Sequence, residues 1–285
     1  MENRKQLYQE RTISMCIENA FDFVRVNISS WLFLFALLLA LPSLILAFLF
    51  TKSHFEYNID GMGLIPSLIQ SLDWFFFVIL FLGLWVTVWA SYTLLEAYFD
   101  NRLPGKRLSL KEAWHYSRGK MGKTLSIMVL AAILFFPMTQ HAILFLIVLI
   151  IGLPLLLLAP IWIVEKTSYS DAIQKTFRLG FTAWFKIFVL VLLVMLLCSM
   201  MMLSVSFPWL IYEMLIENVW IPNGVTTSSM FLIQIIELLL TALFFYVFFL
   251  MASVVVFSCV FYYGSVSESI DDTTLENDIE NFENL

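Results

Sequence analysis

Residues 31–50 read WLFLFALLLALPSLILAFLF and contain no charged side chain. A helix of about 20 apolar residues is long enough to cross the roughly 30 Å hydrocarbon core of a bilayer. The strands of a membrane barrel alternate polar and apolar residues, and this stretch shows no such alternation. It therefore predicts a membrane-spanning α-helix and an all-α fold.

The remainder of the chain has the same character. Of all residues 61% are hydrophobic and only 13% are charged, whereas soluble proteins contain about 25% charged residues. Further apolar runs cover residues 74–95, 125–164, 187–209 and 231–263. The run 125–164 is too long for one helix and is interrupted at 137–141, and Gly152 with Pro154 favours a further break. We predict six transmembrane helices arranged as three hairpins.

The positive charges predict the orientation. Fifteen of the sixteen Lys and Arg residues precede the first predicted span or follow the second and fourth, and only Lys52 lies in the opposite set of connections. Because Lys and Arg favour cytoplasmic loops, both termini are predicted to be cytoplasmic. The polar first thirty residues do not resemble a signal peptide, and three cysteines imply no disulfide framework. Seven acidic residues and no basic ones predict a disordered cytoplasmic tail over 265–285.

A polar stretch between two apolar runs, SLKEAWHYSRGK (109–120), predicts a short amphipathic helix that begins at a Ser109–Glu112 capping box. Related patterns at 16–28 and 168–180 precede the other two hairpins and align Ala20 and Ala172 with Ala113. Each predicts an interfacial helix on the cytoplasmic side, with aromatic residues towards lipid. We therefore predict a single domain over 1–264, built from pseudo-repeats near 12–100, 107–166 and 168–264.

Basic residues of these segments are candidate contacts for anionic lipid headgroups, because Lys and Arg at a membrane surface attract them. Anchoring of the topology is the ordinary role of such residues, and a dedicated lipid site is the alternative. The candidates are Arg25, Arg118, Lys120, Lys123 and Arg178.

Ionisable residues inside the membrane are costly and raise a functional question. Glu237, with Gln234 one turn earlier, is the best candidate for a transport residue, although it could equally lie at the outer interface. Glu96 and Glu165 occupy equivalent inner helix ends, where pairing with nearby basic residues is expected and a role in gating is the alternative. Asp73, His141, Glu213 and Glu217 fall near outer helix ends; a metal site is one interpretation and a solvated rim is the ordinary one.

Motifs of soluble catalysis are absent from the sequence: it has no HExxH, no GxSxG, no phosphate loop and no dinucleotide fingerprint. An enzyme would have to be an intramembrane one, so we predict a protein that is not an enzyme and has no cofactor or metal. Membrane lipids and other membrane proteins are the expected partners, and nucleic acid is not. The oligomeric state is left open.

Two stretches carry a family resemblance, RTISMCIENAFDFVRVNISSWLFLFALLLALPSLIL (11–46) and LLLLAPIWIVEKTSYSDAIQKTFRLG (155–180). They resemble the membrane domain fused to some glycerophosphodiester phosphodiesterases and related stand-alone, uncharacterised six-helix bacterial proteins. Pro160, Glu165, Ser168 and Ala172 stand in the order that the resemblance implies. The phosphodiesterase domain has no counterpart here, so the resemblance implies a bacterial inner-membrane location and no catalytic residue.

Two functions follow as expectations. The first is a scaffold or accessory subunit that acts on partners or lipids at the cytoplasmic interface. The second is a transporter or lipid-translocating protein with Glu237 in its path.

Overall fold

The computed structural model describes residues 7–59, 66–100, 110–135, 142–215 and 227–271, and the structural statements below concern these residues. Within them every regular element is an α-helix, and no strand occurs. The helices are α1 Ile13–Val26, α2 Ile28–Ile59, α3 Pro66–Phe99, α4 Leu110–Ser117, α5 Met121–Phe135, α6 Ala142–Leu155, α7 Leu158–Val164, α8 Tyr169–Thr182, α9 Trp184–Leu215 and α10 Thr227–Asp271. The predicted all-α class is confirmed.

Four helices are long and apolar enough to cross a membrane, as expected for a membrane protein. The segments are Ile28–Thr51 of α2, Trp74–Phe99 of α3, Trp184–Tyr212 of α9 and Phe231–Asp271 of α10. The run between the second and third of these forms shorter apolar helices, Met121–Leu134 and Val148–Val164. The third and fourth predicted spans and the pairing into three hairpins therefore stay predictions.

The predicted break near Gly152 and Pro154 is confirmed. Helix α6 ends at Leu155 and α7 begins at Leu158. Between them the amides of Leu156 and Leu157 bond to carbonyls three residues earlier, at 3.2 and 3.0 Å. Proline favours such a break because it lacks an amide hydrogen and its ring crowds the preceding turn.

The short helices begin where small polar residues cap them. Thr12 accepts a hydrogen bond from the amide of Met15 at 3.3 Å, and the Ser168 hydroxyl oxygen accepts one from the amide of Asp171 at 3.3 Å. Ser168 also donates to the Asp171 carboxylate at 2.6 Å. Each interaction at the amide satisfies a backbone donor of the first helical turn. Ser168 and Asp171 thus form the cap of α8, while Ser109, of the predicted capping box, lies outside the described residues.

On these short helices the aligned alanines and two of the aromatic residues differ in exposure. The aligned Ala20, Ala113 and Ala172 are buried in the protein. Trp114 and Tyr169, predicted on the same faces, are 52% and 46% exposed. The alanines therefore permit close packing against neighbouring helices, and Trp114 and Tyr169 lie on the outside.

Helix α10 is longer than predicted, and the boundary of the disordered tail at 265 is wrong. The helix continues to Asp271, and Ser265 and Ser267 are buried. The Ser265 hydroxyl accepts from the Arg11 amide at 2.8 Å and donates to the Arg11 carbonyl at 3.1 Å. The acidic composition of this segment indicates disorder and gives no sign of its packing against the N-terminal segment. Residues 272–285 lie outside the described part of the chain.

The chain divides into two compact units, and each of the four long helices contributes to both. The first unit comprises Met1–Leu34, Val88–Met195 and Ser253–Leu285, and the second comprises Phe35–Thr87 and Leu196–Ala252. In the first, Phe23 packs edge-on against the rings of Tyr98 and Phe257, with centroids 5.1 and 4.7 Å away. In the second, Phe50 packs against Trp209 and Phe245 at 6.5 and 6.3 Å. The single domain with three pseudo-repeats stays a prediction.

Candidate functional site

Three charged side chains of the first unit meet at the end of α3, in what we call the Glu96 cluster: Glu96, Lys120 and Lys166. The Lys120 ammonium group contacts one carboxylate oxygen of Glu96, and the Lys166 Nζ lies 3.3 Å from the other. The side chains of Glu96 and Lys120 are mostly buried, whereas that of Lys166 is 61% exposed. A partly buried carboxylate requires such partners because burial without them is costly. The predicted pairing of Glu96 with basic residues is confirmed.

A second group of the first unit, the Glu165 cluster, joins the end of α7 to α8 and α10. It comprises Glu165, Lys175, Arg178, Tyr263 and Asp271. Glu165 accepts a hydrogen bond from Lys175 Nζ at 2.8 Å and another from the Tyr263 hydroxyl. Asp271 accepts from Arg178 at 2.7 Å and lies 3.6 Å from Lys175. The predicted pairing of Glu165 with a basic residue is confirmed. The contacts of this cluster with Tyr263 and Asp271 hold the end of α10.

The two clusters are joined through consecutive residues of the backbone. Glu165 belongs to one cluster and Lys166 to the other. Lys166 adopts a φ of 60°, in the left-handed region that side chains other than glycine rarely occupy. This conformation reverses the chain between α7 and α8 and directs the two adjacent side chains into different clusters.

The five candidate headgroup residues differ in exposure and in their partners. Arg25 and Arg118 are exposed. Arg178 is 61% exposed at its side chain but is held by Asp271. Lys120 is 7% exposed and contacts Glu96, so its side chain is buried and does not reach the surface. The sequence does not indicate that Lys120 and Glu96 lie close together.

Lys123, the fifth candidate, occupies a defined position beside an aromatic ring. Its Nζ donates to the main-chain carbonyl of Trp162 at 2.9 Å and lies 5.3 Å from the centroid of the Trp162 ring. An ammonium group over an indole face is attracted by the ring's quadrupole. Trp162 was not among the predicted site residues. Its spacing of four residues from Lys166 would place both side chains on one side of α7 if that helix continued to Lys166.

An apolar cavity of about 170 Å³ lies in the first unit among α3, α5, α6, α7 and α10. Apart from Tyr92 and Cys259, the side chains that line it are aliphatic or methionine, with Gly152 completing the wall. They include Ile127, Ala131, Leu134, Leu158, Ala159 and Val255. The cavity borders the break between α6 and α7, where residues 156 and 157 leave the helical path. The sequence predicted the break but not the space beside it, because that space depends on how five helices pack.

Glu237 lies in the second unit, in the part of α10 that is long and apolar enough to cross a membrane. Its side chain is buried, with 1% exposure. Ile233 and Thr241, one turn on either side, share this buried face, whereas Gln234 is exposed. The structure therefore places Glu237 in the protein interior and does not bring Gln234 to it.

The metal interpretation lies outside what the structure describes, because the side chains of Asp73, His141, Glu213 and Glu217 all fall in undescribed parts. Among the described residues, no group of three His, Cys, Asp or Glu side chains is arranged to hold a metal ion. Comparison of the chain with protein family models, with curated proteins and with solved structures gives no match.

Proposed function

We propose that this protein is a non-enzymatic integral protein of the bacterial inner membrane, a scaffold or accessory subunit that acts on anionic lipids or on partner membrane proteins at its cytoplasmic face. One observation carries the proposal. In each of the three short segments an alanine is buried, and five or six residues later an arginine is exposed: Arg25, Arg118 and Arg178. A helix that packs small residues inward and presents arginine outward is suited to a surface of negative charge.

The lipid part of this function is tested with full-length protein in vesicles of equal parts phosphatidylglycerol and phosphatidylcholine. Energy transfer from the protein's tryptophans to labelled lipids reports which lipid surrounds the protein. The R25Q/R118Q variant should lose preference for phosphatidylglycerol by up to about fivefold per site, because each basic residue near the surface contributes about 1 kcal/mol. The R25K/R118K variant retains both charges and should keep the preference. An unchanged preference in R25Q/R118Q contradicts the lipid role of these residues.

The buried Glu237 carboxyl favours a second function, that of a transporter or lipid-translocating protein. Ionisable side chains within spans commonly mark transport paths, because burying them serves no packing purpose. Proton uptake into vesicles under a potassium diffusion potential, and access of dithionite to an NBD-labelled lipid, provide the two readouts. The E237Q variant should abolish whichever flux the wild type supports, and Q234L, altered at an exposed site one turn away, should preserve it. Full flux in E237Q would remove Glu237 from the path.

A further inference from the structure

The apolar cavity and the basic side chains described above lie along the same two helices. On α5, Lys123 stands one turn before Ile127, and Ile127, Ala131 and Leu134 line the cavity beyond it. On α7, Trp162 stands one turn after the cavity residue Leu158. The cavity thus begins one turn beyond Lys123 and follows α5 from Ile127 to Leu134, about 10 Å at 1.5 Å per residue.

The end of the cavity nearest Lys123 is positively charged. Lys123 donates to the Trp162 carbonyl, and an ammonium group has three donors, so it retains capacity for an additional acceptor. Lys166, four residues after Trp162, is 61% exposed and shares Glu96 with Lys120. Lys120 and Lys166 thus both contact the carboxylate of Glu96, and Lys166 keeps an exposed ammonium group. This end of the cavity therefore attracts an anion.

We propose that this cavity binds one anionic glycerophospholipid of the surrounding leaflet. One acyl chain occupies the cavity, and the phosphate group lies against Lys123 and Lys166 beside the Trp162 ring. The inference rests on the proposed function, in that it assigns a specific site to the lipid selectivity suggested there, but it uses different residues from Arg25 and Arg118.

The physical properties of the site favour this ligand over smaller ones. A cavity of this size with an aliphatic lining excludes water and accepts apolar groups. A free phosphate ion would satisfy the lysines and leave the cavity unfilled, and a neutral hydrocarbon would fill the cavity and leave the lysines unused. A molecule that joins a phosphate directly to an acyl chain meets both requirements, and four helices able to cross a membrane place such molecules beside the site.

The test uses full-length protein in a neutral detergent and short-chain dioctanoyl phosphatidylglycerol as the probe. A ligand that binds the folded state raises the melting temperature in a concentration-dependent and saturable manner. The wild type should show this rise, with dioctanoyl phosphatidylcholine at least about fivefold weaker. Glycerol 1-phosphate, which has no acyl chain, should give none. K123Q should weaken the phosphatidylglycerol response about fivefold, from the loss of one basic contact.

Cavity-filling variants test the acyl-chain part independently. A131F and A159L should abolish the response because their side chains fill the space, whereas A132F, at the adjacent exposed position of α5, should retain it. Two variants on different helices are used so that misfolding of one, visible as a lowered melting temperature without lipid, leaves the other informative. An equal response in A131F, A159L and A132F overturns the cavity site. Equal responses of the wild type to the two lipids, or a response to glycerol 1-phosphate equal to that for phosphatidylglycerol, overturn the proposed ligand.

Failure of this inference is distinguishable from failure of the proposed function. If only the cavity assignment is wrong, R25Q/R118Q still reduces the preference for phosphatidylglycerol in vesicles, while the cavity variants respond to the probe as the wild type does. If only the surface role is wrong, the preference in vesicles is unchanged in R25Q/R118Q, and A131F still loses the response that A132F keeps.

Discussion

At the scale of single residues, Lys166 combines an unfavourable backbone with a favourable position. Its φ of 60° places it in the left-handed region, and its ammonium group lies 3.3 Å from Glu96. An exposed ion pair contributes at most about 1 kcal/mol, so it does not by itself determine the backbone conformation. The turn between α7 and α8 depends on this conformation, and the lysine tolerates it.

This balance predicts effects of different size on stability for two substitutions of Lys166. Glycine adopts a positive φ without strain, which offsets the lost ion pair, so K166G should change the free energy of unfolding by less than about 0.5 kcal/mol. Valine is β-branched and disfavours this region, so K166V should destabilise by about 1–2 kcal/mol. Thermal unfolding in detergent provides the measurement, and K186V, in the helical backbone of α9, should be close to neutral. Equal stability of K166G and K166V would contradict the account.

Cys16 gives a prediction that depends on pH. Burial raises the pKa of its thiol to about 11, against the opposing effect of the Arg11 guanidinium group. The thiolate is the reactive form, and an exposed cysteine has a pKa near 8.5. At pH 8 the thiolate fraction of Cys16 is therefore more than about a hundredfold smaller than that of an exposed cysteine.

Alkylation by iodoacetamide in a C198A/C259A background, quantified at the cysteine by mass spectrometry, measures this difference. Labelling of Cys16 should be slow at pH 8 and should continue to accelerate up to about pH 11. The matched control S14C, made with C16A in the same background, places a cysteine on the exposed side of α1, and its rate should level off above about pH 9. Rapid labelling of Cys16 at pH 8 would show that α1 does not hold this side chain in the interior.

At the scale of helices, small residues set how closely the elements approach. Gly180 of α8 lies against Pro154 of α6, and a Cβ atom at 180 would stand 2.6 Å from the Pro154 Cβ. Spacing places Gly180 on the same face of its helix as Ala172, and both residues are buried. Its partner could not be predicted, because periodicity identifies the face of a helix but not the neighbour that the face contacts.

The Gly180–Pro154 contact predicts that G180A is destabilising. The added methyl group must separate α8 from α6, and overpacking of this kind costs about 1–3 kcal/mol. Gly122 of α5 is the matched control, because a Cβ there meets nothing within 4 Å. G122A should therefore stabilise its helix by about 0.5–1 kcal/mol, as replacement of a helical glycine by alanine usually does. Midpoints of thermal unfolding compare the two, and a stable G180A would mean that α6 and α8 can move apart freely.

In the candidate site, local features could be predicted from the sequence, whereas contacts between helices could not. Glu96 and Glu165 were expected to pair with basic residues because a carboxylate at an apolar helix end needs a countercharge. That Lys120 faces inward, and that Lys123 lies over Trp162, depends on the packing of helices distant in sequence. The cavity beside the α6–α7 break depends on five helices at once, and no local pattern encodes it.

At the scale of the whole molecule, apolar runs predicted the long helices well, since hydrophobic length is a direct property of the sequence. For residues 121–164, helix length alone does not decide whether the chain crosses the membrane. Helix α5 has 15 residues and extends about 22 Å, less than the roughly 30 Å of a bilayer core. Helix α6 with α7 is long enough, but is broken in the middle. A hairpin that crosses the membrane and one that enters and returns to the same side are both compatible with these lengths.

Reporter fusions distinguish these topologies. Six spans predict that a reporter inserted after Met138 lies on the periplasmic side, whereas a re-entrant hairpin would leave it cytoplasmic. In both cases reporters at Gly105 and Glu280 should share the cytoplasmic side, because fifteen of sixteen basic residues lie in segments assigned to it. Paired alkaline phosphatase and green fluorescent protein fusions at each site give opposite signals and serve as mutual controls. We expect phosphatase activity at 138 and fluorescence at 105 and 280. Phosphatase activity at 138 requires α5 to cross despite its short length, which local thinning of the bilayer permits.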